Sequence, residues 1–319
     1  MKKKILVAGF EKKQLLFLKK NNRKIEFHIY KKDQKKIISN VDAFISITRR
    51  SFEDFYYNDL YKYKSSISWI HIAGAGIDKY FKSKNEINSK CIVTHAKIIQ
   101  GPQVADHAMA LLLSLTRNIN LIVKNGPFYK FKNRPIELRG KKALIVGYGG
   151  VGRCLAERAK GFGIDIDVID KKYSPISNLV SHFYLIEEYK KALKDKDIIF
   201  YTLPLTAQTE KIFNKKTIKF IKKNTFIINV CRGNVICYET LYKYLKINYL
   251  RGAGSDVLDV EPIKKNNKLL KLSNFVYTPH LAGISDQLPK RIFKLITDNI
   301  NRFANNNELI NQANIKKGY

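Results

Sequence analysis

The chain has 319 residues, with 59 lysines and arginines against 27 aspartates and glutamates, and 45% of its residues are hydrophobic. This length allows one large or two medium-sized domains, and the hydrophobic fraction excludes an intrinsically disordered chain. The apolar stretch Met109–Leu115 is too short to cross a bilayer. The apolar residues Ile5–Phe10 are followed at once by charged residues, unlike a secretory signal peptide. We therefore expect a cytoplasmic protein that does not associate with membranes.

The formal net charge of +32 raises the question of a nucleic-acid partner. The lysines, however, are spread in pairs along the whole chain, and no basic arm or zinc-binding module is present. We expect no nucleic-acid partner, although the positive field would attract anionic substrates and dinucleotides. The cysteines are scattered and form no C-x-x-C pair, which predicts no structural metal and a reducing compartment. They are Cys91, Cys154, Cys231 and Cys237.

In the first hundred residues, short apolar runs alternate with amphipathic segments, which indicates a parallel sheet with helices on its faces. The predicted strands lie within residues 4–10, 25–30, 42–47 and 66–72, and the predicted helices are Lys12–Lys20 and Phe52–Tyr63. A longer helix is predicted to begin at Gly101 and Pro102, because proline suits the first turn of a helix and the residues that follow are mostly apolar.

A second α/β unit follows this helix, with strand patterns again separated by helical ones. Its predicted strands are Ala143–Val146, Ile164–Ile169, Asp197–Tyr201, Thr225–Val230, Gly252–Val257 and Phe275–Tyr277. The last amphipathic segment, Pro289–Phe303, comes after this sheet is complete, and we expect it to pack on the first lobe. The predicted domains are therefore residues 1–100 plus 285–319 and residues 101–284, with a ligand cleft at the carboxyl ends of the strands.

Residues 147–152, GYGGVG, form a G-x-G-x-x-G pattern between a predicted strand and a predicted helix. In such a turn the first glycine allows the bend, the second admits a pyrophosphate and the third permits close contact of helix and strand. The candidate cofactor residues of this turn are Gly147, Tyr148, Gly149, Gly150, Val151 and Gly152. Asp170 ends the next strand and can accept hydrogen bonds from ribose hydroxyls, which favours NAD. Lys171 and Lys172 follow it and could neutralise a 2′-phosphate, so NADP use stays open.

Three polar residues follow strands of the same unit. Arg232 comes just after a buried strand, Glu261 follows a glycine-rich strand and His280 lies in a Thr-Pro-His turn. Taken singly, they could be a surface cation, a loop charge and a structural histidine. Because the carboxyl ends of parallel strands share one edge of a sheet, we expect the three to meet there. Together they suit chemistry on a 2-hydroxy or 2-oxo acid.

At these residues the chain resembles the D-isomer-specific 2-hydroxyacid dehydrogenase family, which includes glyoxylate/hydroxypyruvate reductases, phosphoglycerate dehydrogenases and D-lactate dehydrogenases. The motifs that carry the likeness are GAGID at 74–78, GPQVADHAMALLLSLTRN at 101–118, LPLTAQTEKIFN at 203–214, INVCRGNVI at 228–236, SDVLDVEP at 255–262 and TPHLAGIS at 278–285. The resemblance implies two doubly wound parallel-sheet lobes, a Rossmann NAD-binding domain and a flavodoxin-like substrate domain. It also implies a homodimer with the long helix as a contact. Because the chain stops at Tyr319, we expect no regulatory C-terminal domain.

The resemblance implies a role for each candidate residue. His280 would exchange a proton with the substrate hydroxyl, with Glu261 as its partner, and Arg232 would bind the substrate carboxylate. Backbone N–H groups of the loop formed by Gly74, Ala75 and Gly76 would complete the carboxylate site. On the cofactor side, the implied contacts come from Leu203, Pro204, Thr209, Cys231 and Asp256. Tyr238 and Glu239 replace an acidic pair that is common in the family, and we expect them only to begin a helix.

The substrate is less well determined than the reaction. Arg49 and Arg50 follow the third predicted strand, where related phosphoglycerate dehydrogenases place a phosphate-binding arginine, and they are candidate substrate residues. In so basic a chain, an ordinary basic turn is the favoured interpretation. We therefore expect reduction of a small 2-oxo acid of the glyoxylate or hydroxypyruvate type. Oxidation of 3-phosphoglycerate is the alternative, and a non-catalytic, corepressor-like dinucleotide-binding protein is an alternative of another class.

Overall fold

The computed structural model describes residues 2–60, 62, 67–77, 80–81, 87–88, 90–126, 130, 134–175 and 178–315. The chain divides into two compact units. Unit 1 comprises residues 1–99 and 285–319, and unit 2 comprises residues 100–284. Each unit has its own parallel sheet and its own apolar core.

The sheet of unit 1 has five parallel strands in the order β2-β1-β3-β4-β5. The strands are β1 (Lys3–Ala8), β2 (Ile25–Ile29), β3 (Ala43–Ser46), β4 (Trp69–Ile72) and β5 (Ile92–His95). The helices that follow the first three strands are α1 (Lys12–Asn21), α2 (Lys35–Ile38) and α3 (Arg49–Phe55), the last continued by a π-helical turn, Tyr56–Leu60. This strand order is that of flavodoxin-like folds. Strands β3 and β4 are buried throughout, as expected for parallel strands covered on both faces.

The sheet of unit 2 has seven parallel strands in the order β12-β11-β10-β9-β6-β7-β8. The strands are β6 (Lys142–Val146), β7 (Asp165–Asp170), β8 (His182–Leu185), β9 (Ile198–Tyr201), β10 (Phe226–Asn229), β11 (Gly252–Ser255) and β12 (Phe275–Tyr277). The helices are α4 (Gly101–Thr116), α5 (Ile119–Asn125), α6 (Gly150–Gly161), α7 (Tyr189–Ala192) and α8 (Tyr238–Lys246). The strand order reverses between β6 and β9, so the loops after these two strands lie at the topological switch point where doubly wound sheets bind ligands.

Helix α4 lies close against its neighbours in unit 2 because two glycines leave room for it. A Cβ on Gly101 would lie 2.9 Å from the carbonyl oxygen of Gly150, at the start of α6. A Cβ on Gly254, in β11, would lie 2.9 Å from Cβ of Leu111 in α4. Larger residues at either position would push the helix away from the sheet edge that carries the candidate site.

The last helix, α9 (Leu288–Ala304), belongs to unit 1. Its buried face carries Ile292, Ile296 and Ile300, spaced by four residues as one face of a helix requires. These side chains share a core cluster with Ile5 of β1 and Ile45 of β3. The chain therefore returns to the first sheet after completing the second.

The α/β class with two parallel sheets, predicted from the sequence, is confirmed by the structure. Two strands were not predicted. Strand β5 has only four residues and ends in Thr94 and His95, which are polar although buried. Strand β8 is partly exposed and carries no buried run, which leaves little strand signal. The predicted helix Phe52–Tyr63 begins three residues earlier, at Arg49, and takes π-helical geometry over Tyr56–Leu60, while residues 61 and 63 lie outside the described residues. Among the described residues, no helix is both long enough and apolar enough to span a membrane.

Candidate active site

The glycine-rich turn after β6 has the backbone geometry that its sequence predicts. Gly147 has φ of +103°, a conformation that favours glycine. A Cβ on Gly152 would lie 2.1 Å from the carbonyl oxygen of Gly147, so only glycine fits at this helix position. Helix α6 begins at Gly150, inside the motif, which places the motif's last residues in its first turn. The exposed N–H groups of such a turn form an anion site.

Asp170 lies at the end of β7 and holds the same turn. Its carboxylate accepts hydrogen bonds from the N–H groups of Tyr148, at 2.7 Å, and Lys171, at 2.6 Å. Arg153 lies over the Tyr148 ring, 4.5 Å from its centroid, and donates to Ser174 Oγ at 3.0 Å. The segment that follows β7 is thereby tied to the glycine-rich turn.

The segment after β9 closes the other side of the switch point. A Cβ on Gly147 would lie 2.8 Å from the backbone nitrogen of Leu203, so the two loops are in close contact. Thr209 Oγ1 donates to the carbonyl oxygen of Pro204 at 2.7 Å and accepts from the N–H of Thr206 at 2.8 Å. These two bonds give Thr209 a part in closing its own turn.

The residues of this edge fit a dinucleotide. A Cβ on Gly149 would meet nothing within 4 Å, so open space adjoins the turn where a pyrophosphate would lie. Asp170 offers a carboxylate at the end of the neighbouring strand, in the position suited to ribose hydroxyls. Among the described residues, no cluster of three or more histidines, cysteines, aspartates or glutamates could hold a metal ion.

Arg232 lies in a turn that the end of β10 braces. Asn229 Oδ1 accepts from the N–H of Cys231 at 3.1 Å, and Asn229 Nδ2 donates to the Arg232 carbonyl at 3.1 Å. The guanidinium Nη1 donates to the Cys231 carbonyl at 2.7 Å. Cys231 is buried, and burial raises the pKa of its thiol to about 12, so the thiol stays protonated. The next residue, Gly233, has no space for a Cβ, which would lie 2.0 Å from the Leu258 carbonyl.

Glu261 connects the β11 and β12 loops. Its Oε1 accepts from the N–H of Leu258 at 2.9 Å, and its Oε2 lies 2.7 Å from Nδ1 of His280. This contact orients the imidazole and leaves Nε2 as the nitrogen directed away from the carboxylate. The His280 side chain is 43% exposed, so its ring is accessible. Since Gly233 packs on Leu258, the structure brings the loops of Arg232, Glu261 and His280 together at one edge of the sheet.

Asp256 is 2% exposed and holds the turn that carries His280. His280 has φ of +53°, which is unfavourable for a residue with a Cβ. The Asp256 carboxylate accepts from Thr278 Oγ1 at 2.6 Å, from Leu281 N–H at 3.0 Å and from Ala282 N–H at 2.9 Å. Its backbone carbonyl accepts from His280 N–H at 2.8 Å. The structure thus places this carboxylate within the histidine turn, and the contact with the cofactor that the resemblance implies stays a prediction.

Two residues outside the candidate set support the site. His107 Nε2, on α4, lies 2.7 Å from Thr278 Oγ1 and so extends the Asp256 network. Tyr238 begins α8 as expected, but its hydroxyl also donates to the Val257 carbonyl at 2.6 Å and accepts from Asn229 Nδ2 at 3.1 Å. These hydrogen bonds link the β10 and β11 loops. The sequence could have indicated this link, because Tyr238 stands where the family commonly has an acidic residue.

The candidate substrate residues of unit 1 lie at the carboxyl ends of its strands. The Gly74–Gly76 loop follows β4, and Arg49 and Arg50 begin α3, after β3. Arg49 Nε donates to Glu53 Oε1 at 3.1 Å and to the Tyr80 hydroxyl at 3.2 Å. Arg50 is exposed. The charge of Arg49 is therefore already paired within its own unit.

Comparison with known proteins decides the family. The sequence model described as "D-isomer specific 2-hydroxyacid dehydrogenase, NAD binding domain" matches residues 109–282. The chain belongs to this family. Unit 2 thus carries the NAD binding domain of a D-isomer specific 2-hydroxyacid dehydrogenase.

Relatives with named activities include three types of enzyme. The hydroxypyruvate reductase of Thermotoga maritima is 30% identical over 290 residues, 88% of this chain and 91% of that protein. The glyoxylate reductase of Thermococcus litoralis is 33% identical over 223 residues, 66% of each chain. D-3-phosphoglycerate dehydrogenase 2 of Arabidopsis thaliana is 30% identical over 259 residues, which cover 79% of this chain but 40% of that protein. The chain thus spans less than half of the plant protein.

Solved structures share the fold. A D-isomer specific 2-hydroxyacid dehydrogenase family protein from Aeromonas salmonicida superposes with a TM-score of 0.81 at 21% identity, covering 99% of this chain and 100% of that one. The family member from Xanthobacter autotrophicus, solved with NADPH and MES, also gives a TM-score of 0.81, at 20% identity, covering 99% of both chains.

Proposed function

We propose that the protein is an NAD(P)-dependent oxidoreductase that interconverts a small 2-oxo acid and its D-2-hydroxy acid. The observation that carries this proposal is the 2.7 Å contact of His280 with Glu261, at the same sheet edge as the glycine-rich turn. A titratable ring held by a carboxylate beside a dinucleotide site is the arrangement required for coupled proton and hydride transfer. The relatives named as glyoxylate and hydroxypyruvate reductases support the same reaction.

In the proposed mechanism His280 exchanges the proton. In reduction, Nε2 gives a proton to the C2 oxygen of the oxo acid, and in oxidation it takes the proton from the C2 hydroxyl. Glu261 holds Nδ1 and stabilises the protonated ring. Arg232 binds the substrate carboxylate and polarises the C2 oxygen, since its planar group offers two donors at once. When bound, the nicotinamide supplies or accepts the hydride.

The loop formed by Gly74, Ala75 and Gly76 also has a part in this proposal. The N–H groups of Ala75 and Gly76 would bind the carboxylate that all 2-oxo acids share. The cofactor would be held by the glycine-rich turn, with Asp170 at the ribose hydroxyls, which favours NAD over NADP. Leu203 and Pro204 would lie beside the adenosine.

We favour an unphosphorylated substrate of the glyoxylate or hydroxypyruvate type. The pairing of Arg49 with Glu53 and Tyr80 reduces the positive charge available to a phosphate group. A phosphorylated substrate remains the alternative, because phosphoglycerate dehydrogenases are among the relatives. Replacing Arg49 and Arg50 by alanine distinguishes the two: the Michaelis constant for phosphohydroxypyruvate should rise only if the arginines bind its phosphate.

We also propose a homodimer. Helix α5 has no buried residue and exposes Ile119, Ile122 and Val123 on its surface, directly after the long helix α4. An exposed apolar face of this kind is typical of a subunit contact. Sedimentation equilibrium should give twice the chain mass, and Val123→Glu should shift the protein toward the monomer.

The test of the function is a substrate panel. NADH and NADPH absorbance should be followed with glyoxylate, hydroxypyruvate, pyruvate and phosphohydroxypyruvate. We expect oxidation of NADH, faster than that of NADPH, with at least one of the first three acids. Binding of NADH without turnover of any acid would contradict the proposal and favour a non-catalytic dinucleotide-binding protein.

A further inference from the structure

The end of β5 fixes the loop formed by Gly74, Ala75 and Gly76. The N–H of Ala96 donates to the Gly74 carbonyl at 3.0 Å. His95 Nδ1 lies 2.7 Å from the Ala75 carbonyl, which can only accept a hydrogen bond. Two successive carbonyls of the loop are therefore held by the last residue of β5 and the residue that follows it.

These two bonds determine where the loop's N–H groups point. In a trans peptide, the carbonyl of one residue and the N–H of the next point in opposite directions. The bond from Ala96 thus directs the N–H of Ala75 away from β5, and the bond from His95 directs the N–H of Gly76 away from the imidazole. Within the described part of the chain, neither N–H has an acceptor. A Cβ on Gly74 would meet nothing within 4 Å, so the loop adjoins open space.

The packing around His95 fixes which ring nitrogen donates. The residue is 1% exposed, and burial lowers the pKa of its imidazole, so the ring is neutral and carries one N–H. That hydrogen must be on Nδ1, because Nδ1 faces a carbonyl oxygen and Nε2 is buried without a hydrogen-bond partner among the described residues. The backbone is held as well, since the N–H of His95 donates to the Asn311 carbonyl at 3.1 Å. The donor to Ala75 is thus rigid and permanently available.

We propose that His95 is a positioning residue, whose Nδ1–H aims the N–H groups of Ala75 and Gly76 at the carboxylate of the substrate. This inference rests on the proposed function, in which that loop binds the carboxylate. His95 itself touches neither substrate nor cofactor in this arrangement. Its effect should therefore appear in substrate affinity and leave the proton and hydride steps unchanged.

Three substitutions separate positioning from simple packing. In His95→Asn, the amide nitrogen takes a place close to that of Nδ1, so the bond to Ala75 can re-form. In His95→Gln the amide lies one carbon further out, at the distance of Nε2, and His95→Leu has no donor. We expect the Michaelis constant for the 2-oxo acid to rise about tenfold in the Leu and Gln variants, the scale of one misaligned hydrogen bond to a charged group. The Asn variant should stay close to wild type, and all three should keep wild-type kcat and NADH affinity.

An unchanged Michaelis constant in His95→Leu would overturn the inference, as would an Asn variant impaired as strongly as the Gln variant. If the Leu variant does not fold, the comparison of Asn with Gln decides. Calorimetric binding of oxalate to the NADH complex separates this inference from the proposed function. If the wild type reduces no acid, the proposed function is wrong. Oxalate binding that weakens about tenfold in His95→Gln, and stays unchanged in His95→Asn, would still support the positioning role of His95. Oxalate that binds equally to both variants, or does not bind the wild type, would refute it.

Discussion

Replacing Asp256 by asparagine tests whether this carboxylate holds the histidine turn. The carboxylate accepts three hydrogen bonds, two through Oδ1 from Thr278 and Leu281 and one through Oδ2 from Ala282. An asparagine keeps one of the two oxygens. Its amide nitrogen would replace the Oδ2 atom at least cost, and the N–H of Ala282 would then face another donor.

The size of the effect follows from these contacts. A buried donor left without an acceptor costs about 1–3 kcal/mol, and the other two bonds weaken because they lose a charged acceptor. We therefore expect Asp256→Asn to lower the free energy of unfolding by about 2–4 kcal/mol. The rate of 2-oxo acid reduction should fall as well, since His280 keeps its φ of +53° through this turn.

Urea unfolding followed by circular dichroism measures the first effect, and NADH oxidation measures the second. Asp259→Asn is the matched control, because it makes the same chemical change at an exposed position three residues away and should stay within about 0.5 kcal/mol of wild type. Equal stability of the two variants would show that the carboxylate of Asp256 does not hold the turn.

Three further predictions concern other parts of the chain. Gly152→Ala places a Cβ 2.1 Å from the Gly147 carbonyl, so the dissociation constant of NADH, measured by fluorescence, should rise at least about tenfold. Wild-type affinity would contradict the proposal that this turn binds the cofactor. Burial lowers the pKa of His71 to about 3, and only the unfolded state takes up a proton at this residue as pH falls below about 6.5. This residue alone should therefore lower the free energy of unfolding by about 1.4 kcal/mol per pH unit between pH 6 and 4. His71→Asn should reduce the slope of the wild type by about that amount in urea titrations at several pH values, and an equal slope in both proteins would contradict this prediction. Glu261→Gln removes the charge beside His280, so kcat should fall about 10–100-fold while NADH binding stays intact. An unchanged kcat would show that the Glu261 carboxylate does not support proton transfer by His280.

The features that the sequence predicted well are those that depend on neighbouring residues. The buried run Lys142–Val146 and the glycines after it specify a strand, a turn and a helix within twenty residues, and the structure has all three. Two strands were missed. Strand His182–Leu185 is only partly buried and lacks a continuous apolar run. Strand Ile92–His95 is mostly buried, but its last two residues are polar, which shortens its apolar run to two residues.

The hydrogen bonds that support the site could not be predicted, because they join residues that are far apart in the sequence. His107 and Thr278 are 171 positions apart in sequence, and their contact exists only because α4 packs beside the end of β12. For the same reason the sequence did not show the hydrogen bonds of Asp256 to the histidine turn, because their donors lie 22 to 26 residues further along the chain. The bond between His95 and Ala75 likewise requires β4 and β5 to be neighbours.

The proton-transfer role of His280 is tested most directly by a single turnover. Enzyme saturated with NADH is mixed with the preferred 2-oxo acid in a stopped-flow instrument, for the wild type and for His280→Ala. We expect NADH absorbance to decay at least about 100-fold more slowly in the variant, while its NADH affinity equals that of the wild type. Decay at the wild-type rate would show that the proton comes from another group and that the imidazole and its carboxylate partner serve the structure alone.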